Sequence, residues 1–256
     1  MVYENVLAGA FIYSMGVVAG RAADPEKTIL DSVNFFQQTP TDRTLGDLLA
    51  AWRGKSFLIE FKRSIGQLKD ELEKDGKPGL GVTIFHDKKI KELSEKCHFI
   101  GYGEYAKHDD KILTDLVFQK YLSVLTRGTS RKVNSSEVPR WSEFINKLLV
   151  DRTFGASFEE FANYLGFLLK YAEAPIKPNA SGGKGRRAIQ GILTSVSPEG
   201  KVASFAYRGY DHLLTLLREP VNLSVHLEQQ ISYMQSLNIS ISEERKMDGP
   251  SHSFTL

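Results

Sequence analysis

The sequence TLGDLLAAWRGKSFLIEFK runs from Thr44 to Lys62 and contains two apolar segments, 47–52 and 56–62. Residues 53–55, Arg-Gly-Lys, separate them. A short link that contains Gly between two such segments predicts a β-hairpin. In the second segment every other residue is a large apolar one, which places on one face of the strand Phe57, Ile59 and Phe61.

The opposite face of the second strand carries an acid and a lysine, Glu60 and Lys62. One interpretation is a solvated face with a cross-strand ion pair, which antiparallel sheets often show. The other is a Mg²⁺ site, in which Glu60 binds the cation and Lys62 contacts the same water or phosphate. Asp47 would then supply a second carboxylate from the neighbouring strand.

The length of the turn decides whether Asp47 joins that face. A loop of two residues (53–54) or four residues (52–55) places Asp47 directly opposite Glu60. A loop of three residues pairs Asp47 with Phe61 instead and turns its side chain to the other face, because a slip of one residue inverts a strand.

Asp47, the short turn and the triplet Glu60-Phe61-Lys62 resemble the motif of the PD-(D/E)XK nuclease superfamily, the fold of many restriction endonucleases and repair exonucleases. The Pro of the motif is absent, since Leu45-Gly46 precedes the Asp. The resemblance implies a Mg²⁺-dependent nuclease, with Mn²⁺ as an alternative cation. Asp47, Glu60 and the carbonyl of Phe61 would hold the metal, and Lys62 would orient the water or the phosphate.

Gln67 has two interpretations. Ser64 followed by Gln67 is a capping box that opens a helix. Exonuclease-like branches of the superfamily carry a Gln on the helix after the lysine strand, and that likeness implies a catalytic role for Gln67.

Periodicity and capping signals predict the order of the remaining elements. A strand-helix-strand order over 82–102 indicates a parallel pair. The predicted helices cover 6–20, 24–38, 64–75, 86–96, 111–126, 141–150, 157–172, 213–218 and 225–237. The predicted strands outside the hairpin cover 82–85, 97–102, 189–196 and 201–207.

These elements predict an α/β fold, a restriction-endonuclease-like mixed sheet flanked by helices, with a mostly helical C-terminal half that carries a β-hairpin. We expect a nuclease-like core over 1–126, a linker or mobile loop over 127–138 and a helical extension over 139–256. The loop is rich in Gly, Ser, Thr and basic residues. The helical half would provide a surface for a protein partner or for homo-oligomers.

A second basic segment, ASGGKGRR, spans 180–187. Its glycines alternate with Lys184, Arg186 and Arg187, which could bind nucleic-acid phosphates through backbone N–H groups and charge. The spacing is not that of a Walker loop. A basic Gly-rich loop is also common as a plain surface connection.

Composition sets only broad limits. The 256 residues carry a net charge of +2, so any basic surface must be local, and the single cysteine excludes an intrachain disulfide and fits a cytoplasmic protein. The apolar segment 6–20 is shorter than the ~20 residues of a membrane span and predicts a buried helix and no membrane association.

Three functions fit the sequence. The first is a Mg²⁺-dependent nuclease that hydrolyses phosphodiester bonds, of DNA rather than RNA, in repair or antiviral defence. The second is a catalytically inactive subunit of the same fold that binds nucleic acid or a protein partner. The third is an unrelated α/β interaction protein in which the Glu-x-Lys triplet is a coincidence.

Overall fold

The computed structural model describes residues 3–21, 30–35, 47–52, 55–74, 76–109, 111–127, 139–151, 153–173, 190–196, 202–218 and 232. Seven strands lie in these ranges: β1 (Leu30–Phe35), β2 (Leu48–Trp52), β3 (Lys55–Lys62), β4 (His98–His108), β5 (Lys111–Lys120), β6 (Gln190–Val196) and β7 (Val202–Arg208). The chain divides into two compact units, Met1–Arg218 and Glu219–Leu256, and all seven strands belong to the first.

Eight helices lie in the same described part of the first unit. They are α1 (Glu4–Arg21), α2 (Leu68–Glu73), α3 (Lys77–His86), α4 (Lys88–Cys97), α5 (Tyr121–Arg127), α6 (Trp141–Val150), α7 (Phe158–Glu173) and α8 (Tyr210–Arg218). A short 3₁₀ turn, Ile65–Gln67, precedes α2. None of the helices that are described is long and apolar enough to cross a membrane.

The strands form one mixed sheet in the order β5-β4-β3-β2-β1-β6-β7. Strands β3 and β4 are parallel, and the other described neighbours are antiparallel. The protein is therefore a mixed α/β structure with a sheet flanked by helices. The β6–β7 hairpin, which the sequence predicts, extends this sheet by pairing with β1.

Strand β3 lies between β2 and β4 in the sheet, and both of its faces are buried because helices pack on each of them. Phe57, Ile59 and Phe61 pack in one apolar core with residues of α1 and α6. Leu58, two residues before Glu60, packs in a second core with residues of α3, α5 and α7. The predicted alternation of the strand is confirmed, but its polar face is covered by helices and not by solvent.

Several predicted elements are confirmed because local signals agree with the packing. Helix α6 has the predicted bounds, and α4 and α7 begin within two residues of theirs. The side chain of Asp87 caps α4 by accepting a 3.0 Å hydrogen bond from Ile90 N. Ser157 and Glu160 form the reciprocal bonds of a capping box at the start of α7, at 2.9 and 3.3 Å.

Three predicted elements are wrong. The described part of the predicted helix 24–38 is strand β1, which pairs with β2 and β6. The predicted strand 82–85 lies inside α3, which packs closely on α5, so packing overrides the β propensity of these residues. The predicted helix 111–126 is β5 followed by α5. Its buried end, Leu116–Gln119, is covered on both faces and so lacks the alternation of a half-exposed strand.

The predicted linker 127–138 lies outside the described residues apart from Arg127, which ends α5. The division of the chain at that point stays a prediction. The predicted helix 225–237 is also outside them, except for residue 232.

Candidate functional site

The β2–β3 turn has the length that brings the two acids together. Trp52 pairs with Lys55, which leaves two residues between the strands, and Leu48 pairs with Ile59. The same register places Asp47 opposite Glu60, and Asp47 N donates a 3.0 Å hydrogen bond to Ile59 O. Asp47 and Glu60 therefore share a face of the hairpin, as the two-residue turn predicts.

The Asp47 carboxylate is held close to the second strand. Its Oδ2 accepts a 2.6 Å hydrogen bond from Phe61 N. Burial raises the pKa of Asp47 to about 7, and repulsion from Glu60 adds to the rise, while the Phe61 bond and the charge of Lys62 oppose it. Glu4, in the first turn of α1, also repels this carboxylate. Asp47 is thus an acid that binds a proton far more readily than an isolated one.

Glu60 is bound by two lysines. Its side chain is buried, and Oε1 contacts the Nζ atoms of Lys62 and Lys74, the latter at 3.1 Å. Lys62 Nζ also donates a 3.2 Å hydrogen bond to Phe61 O. The ammonium of Lys62 therefore already binds two of the three oxygen groups that the sequence assigns to a metal.

A second buried acid, Glu71, faces the same lysines from α2. Its Oε2 lies 3.2 Å from Lys62 Nζ and 2.5 Å from Lys74 Nζ. Glu60, Lys62, Glu71 and Lys74 thus alternate in charge around a closed set of contacts, which we call the charge ring. The side chain of Glu71 is 0 % exposed and that of Lys74 is 37 % exposed, so the ring opens to solvent at Lys74.

The charges of the ring stabilise one another. Burial alone would lower the pKa of Lys62, but Glu60 and Glu71 outweigh it and raise that pKa. Burial alone would raise the pKa of Glu71, but Lys77, Lys62 and Lys74 hold it well below its usual range. Buried ions need such partners, because the cost of removing an unpaired charge from water is several kcal/mol.

Polar groups behind Glu71 continue into the core. Its other oxygen, Oε1, lies 3.1 Å from Lys77 Nζ and accepts a 2.7 Å hydrogen bond from Tyr121. Lys77 also donates to the Tyr121 hydroxyl at 2.6 Å. The ring of His98 stacks on Tyr121 with centroids 3.9 Å apart, and its Nδ1 is 2.8 Å from Tyr164 OH. Glu71 is therefore fixed from α3 and α5 as well as from the charge ring.

Gln67 lies beside the site and holds the backbone. Its Oε1 accepts a 3.1 Å hydrogen bond from Arg63 N, at the residue that follows β3. Ser64 makes no side-chain cap bond, so the capping box predicted from the sequence is wrong: the Gln side chain reaches Arg63 and not Ser64. The catalytic role of Gln67 stays a prediction.

The sequence did not identify Glu71, Lys74 and Lys77. They lie in a charged segment, KDELEKDGK (69–77), which reads as a solvated helix face. Glu71 follows Gln67 by four residues and precedes Lys74 by three, a spacing that places all three on one side of a helix. This stripe of polar residues, soon after the strand that carries Lys62, is the sequence signal from which these site residues could have been predicted.

The donor atoms of the site suit a hard cation. Mg²⁺ prefers oxygen ligands, and Asp47, Glu60 and the Phe61 carbonyl supply only oxygen. A cationic group already binds at Glu60 and Phe61 O, so the position is electrostatically fit for a cation. Within the described ranges no group of three or more His, Cys, Asp or Glu side chains is placed to hold a metal. A metal at this site would depend on two carboxylates and the backbone.

The basic residues of the predicted phosphate-binding loop, Lys184, Arg186 and Arg187, lie outside the described residues. Their role in binding nucleic acid stays a prediction.

Comparisons with protein-family models, with curated proteins and with solved structures give no match for this chain. The function is therefore argued from the site itself.

Proposed function

We propose that the protein is a Mg²⁺-dependent nuclease with a restriction-endonuclease-like fold of the PD-(D/E)XK type. One observation carries the proposal: the hairpin register places Asp47 opposite Glu60, with Lys62 bonded to Glu60 and to the Phe61 carbonyl. Two repelling carboxylates could hold a cation for phosphodiester hydrolysis, and a lysine on the same face could contact the water or the phosphate.

In this proposal the metal ligands and Lys62 have separate roles. Asp47, Glu60 and the carbonyl of Phe61 hold the cation, which stabilises the negative charge that develops on the scissile phosphate. Lys62 donates hydrogen bonds to the attacking water or to a phosphate oxygen. DNA is the expected substrate rather than RNA, Mn²⁺ is an alternative cation, and repair or antiviral defence in the cytoplasm is the expected setting.

Two changes must precede binding of the cation. Asp47 must be ionised, and because its pKa is about 7 the ionised form predominates only above neutrality. Glu60 must give up its contacts with Lys62 and Lys74. The first step predicts weak cation binding below pH 7 and stronger binding above it, and the second weakens cation binding at every pH in this range.

A second candidate is a catalytically inactive subunit of the same fold that binds nucleic acid or a protein partner. The favouring observation is that Lys62 and Lys74 neutralise Glu60 without any metal. A site closed in this way is stable as it stands and does not need a cation to complete it.

Cleavage assays separate these candidates. The purified chain is incubated with linear duplex DNA, single-stranded DNA and RNA at pH 8, with Mg²⁺, with Mn²⁺ or with EDTA. We expect cleavage that needs the cation and falls at least ~10²-fold in Glu60→Gln and Asp47→Asn, since each removes a carboxylate that would hold the charge-stabilising cation. Glu143→Gln, at an exposed glutamate of α6, is the matched control.

The outcomes are distinct. Binding of nucleic acid without cleavage under every condition would support the inactive subunit. Cleavage that persists in Glu60→Gln would show that the activity does not come from this site. If the protein neither binds nor cleaves nucleic acid, the unrelated α/β interaction protein would be the best remaining account.

A further inference from the structure

The two acids of the charge ring differ in how firmly their contacts hold them. Lys62 and Lys74 each contact both Glu60 and Glu71. In the function proposed above, Glu60 leaves the ring to bind a cation, and each lysine then keeps one carboxylate partner. That partner is Glu71 in both cases, at 3.2 Å from Lys62 Nζ and 2.5 Å from Lys74 Nζ.

Glu71 is held so that it cannot follow Glu60. Its Oε1 is bound by Lys77 at 3.1 Å and by the hydroxyl of Tyr121 at 2.7 Å, and both of these groups are buried. Glu60 is buried as well, so these two additional contacts, and not burial, distinguish the carboxylate of Glu71. It is a fixed negative charge beneath two lysines that would otherwise be free to move.

The charges around the site also require this anion. With Asp47 ionised, the acids Asp47, Glu60 and Glu71 balance the lysines 62, 74 and 77. A divalent cation adds two positive charges, and a phosphodiester, which carries one negative charge, offsets half of them. Without Glu71 the positive excess would be larger by one charge, and the three ammonium groups would repel one another and the cation more strongly.

We propose that Glu71 is the positioning residue of this site: it anchors Lys62 and Lys74 at the mouth when Glu60 binds the cation, and it leaves Lys74 as an additional contact for a substrate phosphate. The inference rests on the proposed function for the role of the cation. The anchoring itself is a property of the charge ring and can be measured without any catalysis.

Acylation of amines tests the anchoring directly. Lys74 Nζ lies 2.5 Å from Glu71 Oε2 and 3.1 Å from Glu60 Oε1, and its side chain is 37 % exposed, so a reagent can reach it. Glu71→Gln removes one of these acids and keeps the shape of the side chain and an acceptor for Tyr121. We expect acylation of Lys74 at pH 8.5, followed by mass spectrometry, to become about tenfold faster, since loss of one charge-assisted contact releases the amine by about that factor.

Glu73→Gln is the matched control, because Glu73 is exposed on the same helix. We expect the acylation rate of Lys74 in this variant to equal that of the wild type. An unchanged rate at Lys74 in Glu71→Gln would overturn the proposal, whether or not the protein cleaves nucleic acid. A raised rate in a protein without nuclease activity would retain the anchor and reject only the nuclease.

The KM of cleavage supplies the second readout. If Glu71 holds Lys74 as a contact for a substrate phosphate, KM rises in Glu71→Gln and stays in place in Glu73→Gln. A merely structural role would lower kcat and leave KM unchanged, because the sample would only contain fewer folded sites, and that result would count against positioning.

A second variant tests the proposal in case Glu71→Gln alone does not fold. Glu71→Gln leaves Lys77 buried with Tyr121 as its remaining polar contact. The double variant Glu71→Gln/Lys77→Met removes that charge, and its reference is Lys77→Met alone. We expect the acylation rate of Lys74 to rise about tenfold between these two proteins as well, since the same contact with Glu71 is lost. Equal rates would overturn the proposal.

Discussion

The Asp47 carboxylate accepts a 2.6 Å hydrogen bond from the backbone N–H of Phe61, across the β2–β3 hairpin. This bond favours the ionised form of Asp47, but burial and repulsion from Glu60 outweigh it and leave the pKa at about 7. The group therefore changes charge near neutral pH. The protonation state of Asp47 therefore affects both the stability of the fold and the affinity of the site for a cation.

Asp47 should make the protein less stable as pH rises. Its pKa is raised from 3.8 to about 7 in the folded state, so between these values the folded protein holds a proton that the unfolded chain releases. Stability is then fully present below pH 4 and is lost as pH rises through 7. We expect Asp47→Asn to be more stable than the wild type by ~4 kcal/mol at pH 8, because the shift covers about three pKa units, and no more stable at pH 4.

Urea unfolding at pH 4, 6 and 8 measures this difference. Asp70→Asn, at an exposed position on α2, is the control and should follow the wild type. A constant difference between Asp47→Asn and the wild type at all three pH values would contradict the raised pKa.

Mg²⁺ should stabilise the wild type and not Glu60→Gln. A ligand that binds only the native state adds ~2.7 kcal/mol at a hundred times its Kd. We expect the thermal unfolding temperature at pH 8 to rise with added MgCl₂ in the wild type and in the control Glu143→Gln. NaCl at equal ionic strength separates this effect from screening. A wild type that MgCl₂ does not stabilise would argue against the metal site.

Neutralising Lys184, Arg186 and Arg187 should weaken nucleic-acid binding without regard to sequence. Each lost phosphate contact lowers the slope of log K against log salt by ~0.9, so the triple Gln variant should lose about 2.7. Fluorescence anisotropy between 50 and 200 mM salt measures the slope. The triple Gln variant of Lys88, Lys89 and Lys111, which are all exposed, changes net charge equally and should affect it far less. Equal slopes for the two variants would assign 180–187 to a plain connection.

Gly155→Ala should destabilise the fold. Gly155 has φ +95°, and an added Cβ would lie 2.5 Å from Phe57 Cζ. A left-handed backbone and a steric clash together should cost about 2–4 kcal/mol. Gly16→Ala, inside α1 with nothing within 4 Å of the new Cβ, should instead stabilise the fold by about 0.5–1 kcal/mol. Urea unfolding compares the two, and similar values would contradict the packing at Gly155.

The sequence predicted the hairpin and the polar face of β3, because a period of two fixes which residues share a face. It did not decide which residue lies opposite Asp47 in the hairpin, because the same sequence is compatible with loops of two, three or four residues. The structure resolves that choice through the Trp52–Lys55 pair. The fold was predictable where capping and periodicity agree, as in α4, α6 and α7.

The sequence failed where distant packing decides. Strands β1 and β5 take their conformation from their partners in the sheet, and α3 takes its conformation from close contact with α5. Glu71 was missed for a related reason. Its partners Lys62 and Tyr121 are 9 and 50 residues away, and only the rotation of α2 about its axis brings its carboxylate to them.

The parallel contact between β3 and β4 also sets the order in which the site can be enclosed during synthesis. Glu60 lies beside Ile100 in this pair, and three helices separate the two strands in the chain. A nascent chain that has emerged only as far as β3 would carry Asp47, Glu60 and Lys62 on an open hairpin in water. Tyr121, which helps to fix Glu71, emerges later still. On the ribosome, the acids would therefore stay hydrated until about half of the protein has been made.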